Sequence, residues 1–392
     1  MGNASTMIGK WNYPTHVRFG AGRIAELPLA CRELGITRPL LVTDEGLAAL
    51  PMVGRVVDIL AAEGPPPPVF SDVKGNPVGS SVDAGVTAFR QAVCDGVVAL
   101  GGGSAIDVAK AIALMVGQER PLWDFEDKDD NDQLVNVAGM VPCVAVPTTA
   151  GTGSEVGRSS VIVEESEHRK VIIFHANMLP GRVIADPELT IGLPPSLTAW
   201  TGIDALSHNL EAYCSPYFHP MADGIAIEGI RLVFESLEAA VRDGGDLDAR
   251  AKMLAASLMG ATAFQKGLGA MHSLAHPIGA HLDTHHGLTN AVVMPYVLQL
   301  NRVAIEGRIA RLVDYLGIQG GYRGFLDAVL ALRQAVGIPA GLDALGVTEA
   351  HVDVLAPLAV IDPTAGTNPV PLTTEICTRL LRRAIAADLS DW

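Results

Sequence analysis

Five of the chain's 11 histidines, His272, His276, His281, His285 and His286, fall within the single stretch from Gly267 to Tyr296. Packing alone explains such a density poorly, because an imidazole buried without partners leaves ring nitrogens unsatisfied. A neutral imidazole is, by contrast, the commonest side-chain metal ligand. A carboxylate to complete a site stands upstream, in TGIDALSHNLE. There Asp204 and His208 are four apart in an apolar-periodic segment, so a helix projects both from one face. Asp204, His208 and two of the later histidines are expected to close around one divalent ion.

Helices must position those residues. From Leu197 onward the chain reads as successive amphipathic helices, over 197–213, 219–243, 248–265, 289–304, 322–336 and 373–387. Upstream the pattern alternates. Short β-rich runs (HVRF, PLLVTD at 39–44, PVFSDV at 68–73, GVVALGG at 96–102, PCVAVP at 142–147, and the pair SSVIV and KVIIF) are separated by helical segments near 22–34, 49–62, 80–94 and 104–116. Strands alternating with helices predict an open, mostly parallel α/β sheet. The boundary falls near 187–195, at the proline-rich PELTIGLPPS, dividing the chain into an α/β domain, 1–190, and an all-α domain, 191–392. The prolines at 65–68 mark a stiff connection, and the charged run DFEDKDDNDQ (124–133) reads as a loop.

Two glycine clusters compete to cradle a phosphate. Gly20-Ala-Gly22-Arg-Ile-Ala25 has the G-x-G-x-x-A spacing between a short strand and a helix, with the acidic Asp44 at the end of the next strand. Gly101-Gly102-Gly103-Ser104 directly follows the apolar strand VVAL and opens a helix, so backbone N–H groups and a helix N-terminus would meet the anion together. A third segment, Pro147-Thr-Thr-Ala-Gly-Thr-Gly-Ser-Glu155, packs hydroxyls and glycines at another strand's carboxyl end, the edge at which open α/β sheets bind ligands. Two such loops after separate strands converge on one dinucleotide better than either alone.

Composition narrows the partners. Hydrophobic residues are 49% and charged residues 18%, enough for a large core, and the net charge of −15 argues against nucleic acid or an anionic membrane as partner. Five scattered cysteines without a C-x-x-C fit a reducing compartment. The N-terminal MGNASTMIGKWNY lacks a leader's basic-then-apolar pattern, and no apolar run reaches membrane-spanning length, so a cytoplasmic protein is expected.

Four motifs, GGGSAIDVAK (101–110), PTTAGTGSEV (147–156), TGIDALSHNLEAY (201–213) and GLGAMHSLAHPIGAHLDTHHG (267–287), resemble those of the iron-containing (group III) alcohol dehydrogenases. Lesser matches are FGAGRI, GNP at 75–77, ADPELT at 185–190 and DPTAGTNPVP at 362–371, so the resemblance runs nearly end to end. It implies a dinucleotide-binding α/β domain plus an all-α C-terminal domain, together the dehydroquinate synthase-like fold, and an active site in the cleft between them. It places the pyrophosphate on Gly102, Gly103 and Ser104 with Asp107 nearby, and reduces GAGRIA to a turn. Asp44 is implied near the adenosine ribose, where a carboxylate favours NAD over NADP. Asn76, Thr148, Thr149, Thr152 and Lys170 match further cofactor-lining positions.

Carried over residue by residue, the resemblance makes Asp204, His208, His272 and His286 the ligands of Fe²⁺, with Zn²⁺ equally suited by ligand type. His286 is assigned over His285 because it directly precedes Gly287. His276 matches the non-ligand histidine near the nicotinamide and is the candidate for moving the substrate's proton. The implied activity is oxidation of a small alcohol, or reduction of its aldehyde or ketone, by a homodimer or larger homo-oligomer. A maleylacetate reductase, a polyol dehydrogenase, a dehydroquinate synthase-like lyase and a non-catalytic binding module are the alternatives. The lyase would need a Lys and Arg cluster beside the ligands, and only Lys266 is near them in sequence.

Overall fold

The computed structural model describes residues 12, 15–167 and 169–392; the N-terminal stretch read for a leader lies outside the described residues. The chain divides into two compact units, Pro14–Ile191 and Gly192–Trp392.

The first unit is built on a six-stranded sheet. Its strands are β1 (His16–Phe19), β2 (Pro39–Val42), β3 (Val69–Phe70), β4 (Gly96–Gly101), β5 (Cys143–Pro147) and β8 (Arg182–Ala185), in the spatial order β1-β8-β5-β4-β2-β3, all parallel. Strands covered on both faces carry continuous apolar runs instead of an alternation, and every residue of β2, β4 and β5 is buried. Strand β3 is only two residues long, and Pro65 to Pro68 leading into it supply no N–H donors. A separate antiparallel hairpin pairs β6 (Ser159–Glu164) with β7 (Arg169–Phe174). Helices α1 (Leu27–Glu33), α2 (Glu45–Ala48), α3 (Pro51–Ala61), α4 (Gly79–Gln91) and α5 (Gly103–Met115) connect the parallel strands. Helix α5 is buried at nearly every position beyond its first two residues.

Strand β8, the short apolar run RVIA between Gly181 and Asp186, was not foreseen; four residues are too few for periodicity to register. GAGRIA is a turn: Gly22 adopts φ 77°, and the Ile24 N–H donates to Asp186 Oδ2 at 2.9 Å. Asp186 also accepts from Glu188 N, which gives the ADPELT segment a structural reason for its acid.

The second unit is helical: α6 (Pro195–Cys214), α7 (Pro220–Arg242), α8 (Leu247–Ala263), α9 (Ala270–Leu282), α10 (His286–Leu316), α11 (Gly321–Ala335), α12 (Glu349–Ile361) and α13 (Thr374–Ile385). Helices α6, α7 and α8 pack on one another, α10 packs on α6, and α9 packs against both α10 and α12. Neither α9 nor α12 stood out by periodicity, and each has a proline inside it, Pro277 and Pro357. Helix α10 runs past the expected end at 304 and stops at Gly317, which takes the left-handed φ of 70°. No helix among the described residues is long and apolar enough to cross a membrane.

Candidate metal centre and nucleotide cradle

Helix α6 supplies the first half of the centre. Asp204, His208 and Glu211 recur at i, i+4 and i+7, one stripe of the helix, and all are buried. Glycines let the neighbouring helices come close to that stripe. A Cβ on Gly260 of α8 would lie 3.0 Å from His208 Cβ, and one on Gly287 of α10 would lie 2.5 Å from the Trp200 carbonyl oxygen and 3.0 Å from Asp204 Cβ. The glycine after His286 is thus what lets the first turn of α10 sit against α6.

His272 comes from the first turn of α9 and His286 is the first residue of α10. With Asp204 and His208 they form a group whose ligand atoms all lie within 4.8 Å of one another. His286 Nε2 is 3.9 Å from Asp204 Oδ1, and the His208 ring is stacked on that of His272 at 4.6 Å. Ligands bonded to one ion at about 2.0–2.2 Å must stand roughly this close together. His285 serves the backbone instead. It caps α10, with Nδ1 accepting from Leu288 N, and its ring lies 5.0 Å from Trp200. His281 turns back on its own helix, Nδ1 to the Pro277 carbonyl at 3.0 Å.

Outer partners aim these rings. Glu211 Oε2 meets His272 Nδ1 at 2.6 Å and accepts from Gly269 N at 3.0 Å, while Oε1 accepts from Met271 N at 2.7 Å. The proton of His272 therefore sits on Nδ1 and the lone pair on Nε2, facing the group. Burial pulls the His272 imidazole down, but the Glu211 hydrogen bond and charge, with Asp204 and Asp362 behind them, hold it above its ordinary value. His276, one turn along α9, is held in the same manner: Asp362 Oδ2 lies 2.8 Å from its Nδ1. Asp362 Oδ1 accepts from Thr364 N and Oγ1 at 2.9 and 2.6 Å. Burial opposes the Asp362 charge, yet His276 and Thr364 together hold its carboxyl below the usual range. The His276 ring lies flat against that of His286, 5.4 Å between centres.

Sequence reasoning assigned no role to Glu211, Asn290 or Asp362. Spacing carried a signal for two of them: Glu211 is three residues past His208, and Asn290 is four past His286. Asp362 is 86 residues from its partner, and no local rule connects them.

The candidate nucleotide cradle lies in the α/β unit. Gly101 and Pro147 are in register at the ends of β4 and β5, so the GGGS and PTTAGTGS loops leave the sheet side by side. Thr148 N donates to the Gly101 carbonyl at 3.0 Å. A Cβ on Gly102 would stand 3.3 Å from the Thr149 side chain, and one on Gly103 2.8 Å from Thr152 Oγ1. The glycines thus keep open a backbone surface lined by those two threonines, at the positive end of α5. Ser104 Oγ donates to the Gly75 carbonyl at 2.6 Å, which brings the loop of Asn76 alongside. Asp44 caps α2, with Oδ1 accepting from Leu47 N at 2.9 Å, and its Oδ2 would lie 3.3 Å from a Cβ on Gly101. Lys170 stands on β7 opposite Val163, in the hairpin after the threonine-rich loop.

Asp107 differs from the expectation. Its Oδ2 accepts from Val161 N at 2.9 Å, and its Oδ1 takes Ser154 Oγ and lies 3.1 Å from the buried Lys110 ammonium. Both oxygens are committed inside the protein, so Asp107 braces the loops from beneath and does not present a carboxylate to a ligand.

Comparison with known proteins agrees with this architecture. Residues 14–187 match the family model described as iron-containing alcohol dehydrogenase, and residues 198–385 match that of the Fe-containing alcohol dehydrogenase family, C-terminal. A 4-hydroxybutyrate dehydrogenase of Cupriavidus necator is 40% identical over 95% of this chain and 99% of its own length. Among solved structures, a 1,3-propanediol oxidoreductase superposes with a TM-score of 0.91 at 34% identity, over 96% of this chain and 100% of that one. The sulfoacetaldehyde reductase of Bifidobacterium kashiwanohense, solved in complex with NAD⁺, gives 0.88 at 30% identity, over 98% and 100%. By both halves of its sequence and by its fold, the chain belongs to the iron-containing alcohol dehydrogenase family.

Proposed function

We propose that the protein is a metal-dependent alcohol dehydrogenase that moves a hydride between a small alcohol, or its aldehyde or ketone, and NAD. The observation that carries this reading is the convergence of one carboxylate and three imidazoles, Asp204, His208, His272 and His286, from three helices. That donor set suits Fe²⁺, and Zn²⁺ is the alternative its chemistry allows. When bound, the ion supplies Lewis acidity to the substrate oxygen and the nicotinamide accepts or returns the hydride.

The chain's own residues do the rest. Gly102, Gly103 and Ser104 offer backbone N–H groups to the pyrophosphate, with Thr148, Thr149, Thr152 and Asn76 around them and Lys170 on the adjoining hairpin. Asp44 accepts from the ribose hydroxyls and repels a 2′-phosphate, which sets NAD above NADP. His276 takes the hydroxyl proton at Nε2 during oxidation, while Asp362 holds the Nδ1–H and fixes the ring. The relatives named for 4-hydroxybutyrate and 1,3-propanediol favour a short substrate with a terminal hydroxyl. The same reading makes the enzyme cytoplasmic and a homodimer or larger homo-oligomer, without a nucleic acid or membrane partner.

Purified protein should carry about one first-row metal per chain and produce NADH from NAD and a panel of short alcohols, 4-hydroxybutyrate and 1,3-propanediol included. Full activity persisting after the metal has been removed by chelation would refute the reading.

A further inference from the structure

Asn290, in the first turns of α10, is buried, and its carboxamide nitrogen faces the same point as the metal group. Nδ2 lies 2.9 Å from Asp204 Oδ1, 3.1 Å from His286 Nε2 and 3.3 Å from His272 Nε2. One nitrogen therefore touches candidate ligand atoms from α6, α9 and α10. We infer that Asn290 is a positioning residue of the metal centre, whose amide fixes Asp204 Oδ1 beside the imidazoles of His272 and His286. The inference rests on the metal-dependent reading above and adds a residue to it.

Three observations support it. First, a buried carboxylate needs donors. Asp204 Oδ1 has one close one among the described residues: Asn290 at 2.9 Å, against 3.4 Å for Ser207 Oγ, whose shorter bond goes to the Asp204 carbonyl. Second, Glu211 holds His272 through Nδ1 and leaves Nε2 facing the group, where the amide –NH₂ lies 3.3 Å from it and 3.1 Å from His286 Nε2. Third, Asn290 Oδ1 is buried with no hydrogen-bond partner among the described residues. Nothing on the oxygen side dictates how the amide is turned. The reverse orientation would set a carbonyl oxygen against the Asp204 carboxylate, so the ligand side determines it. Its place four residues after His286 on one helix makes the amide move with that ligand.

The test uses the full-length protein, freed of metal and titrated with Co²⁺, comparing wild type with Asn290→Ala and Asn290→Asp. Co²⁺ reports its coordination through its visible spectrum. Asn290→Ala is expected to weaken Co²⁺ binding about 10–100-fold, the usual cost of removing an outer-shell partner, and to shift the spectrum. Asn290→Asp has nearly the same shape but replaces the donor by an acceptor. It should lower the melting temperature of the metal-free protein and gain more from saturating Co²⁺ than wild type does. An Asn290→Asp protein that melts like wild type with and without Co²⁺ would show that the amide only fills space, and so would an Asn290→Ala protein with wild-type affinity and spectrum. If wild type itself binds no Co²⁺, the metal reading falls, and that result is distinct from failure of the asparagine's role.

Discussion

Replacing Glu211 by glutamine tests the centre through a residue outside the metal group. The carboxylate accepts three hydrogen bonds, from Gly269 N, Met271 N and His272 Nδ1, two on Oε2 and one on Oε1. Glutamine has nearly the same shape but a single acceptor oxygen. If that oxygen stays on His272 and Gly269, the new –NH₂ faces the Met271 N–H, donor against donor. If the amide is reversed, His272 must move its proton to Nε2 and can no longer offer a lone pair to the group. The first arrangement loses a charge-assisted bond and strands a buried donor, each about 1–3 kcal/mol, so a cost near 3 kcal/mol is reasonable. That cost falls on folding, whereas metal affinity should drop about 10–100-fold because His272 loses its charged outer partner. Competition against a chelator of known affinity measures it directly. The metal-free protein should also melt lower, because the carboxylate caps the start of α9. A Glu211→Gln protein with wild-type metal affinity would refute the argument that His272 is aimed by its outer partner.

Three further outcomes follow from the same geometry. His272→Ala should abolish both bound metal and alcohol oxidation while NAD binding, measured calorimetrically, persists; loss of NAD binding alone, with metal retained, would contradict the assignment. Asp44→Ser keeps a side chain able to cap α2 but removes the charge. The NAD/NADP ratio of kcat/KM should therefore fall by about tenfold or more, equivalent to at least 1.4 kcal/mol of relieved repulsion, and an unchanged ratio removes Asp44 from cofactor choice. Burial pushes the Glu155 carboxyl up to about 7, against the pull of its own backbone N–H and of Lys110, and Oε1 has no hydrogen-bond partner among the described residues. A folded value above the unfolded one near 4.5 means that stability is lost as pH rises through that window, by about 3 kcal/mol in full. Glu155→Gln should accordingly melt above wild type at pH ~8 and level with it at pH ~4; a difference independent of pH would show that Glu155 is not the titrating group.

What the sequence could reveal depended on whether one element carried the signal. Asp204 and His208 lie a helical turn apart in an uninterrupted apolar pattern, so periodicity alone put them on one face. Strands β4 and β5 were legible for a similar reason, since five or six consecutive buried residues between glycine and proline have little other reading. Helix α9 was obscured by the residues that make it useful: Gly269 before it lets the chain enter close to Glu211, and Pro277 interrupts its ladder, so the histidines showed but the helix did not. Asp107 shows the opposite limit. It follows the phosphate loop on the same helix, and only the strand that crosses beneath, with Val161 N on one oxygen, reveals which way the carboxylate faces. Asp362 was out of reach altogether, because its role exists only once α9 and α12 are packed together and bring it to His276. Ligands fixed within one helix follow from spacing, whereas the partners that aim them come from other helices and follow from packing. The choice between His285 and His286 turns on that second kind of information: adjacent in sequence, one caps α10 with extended backbone, and the other begins the helix and faces the group.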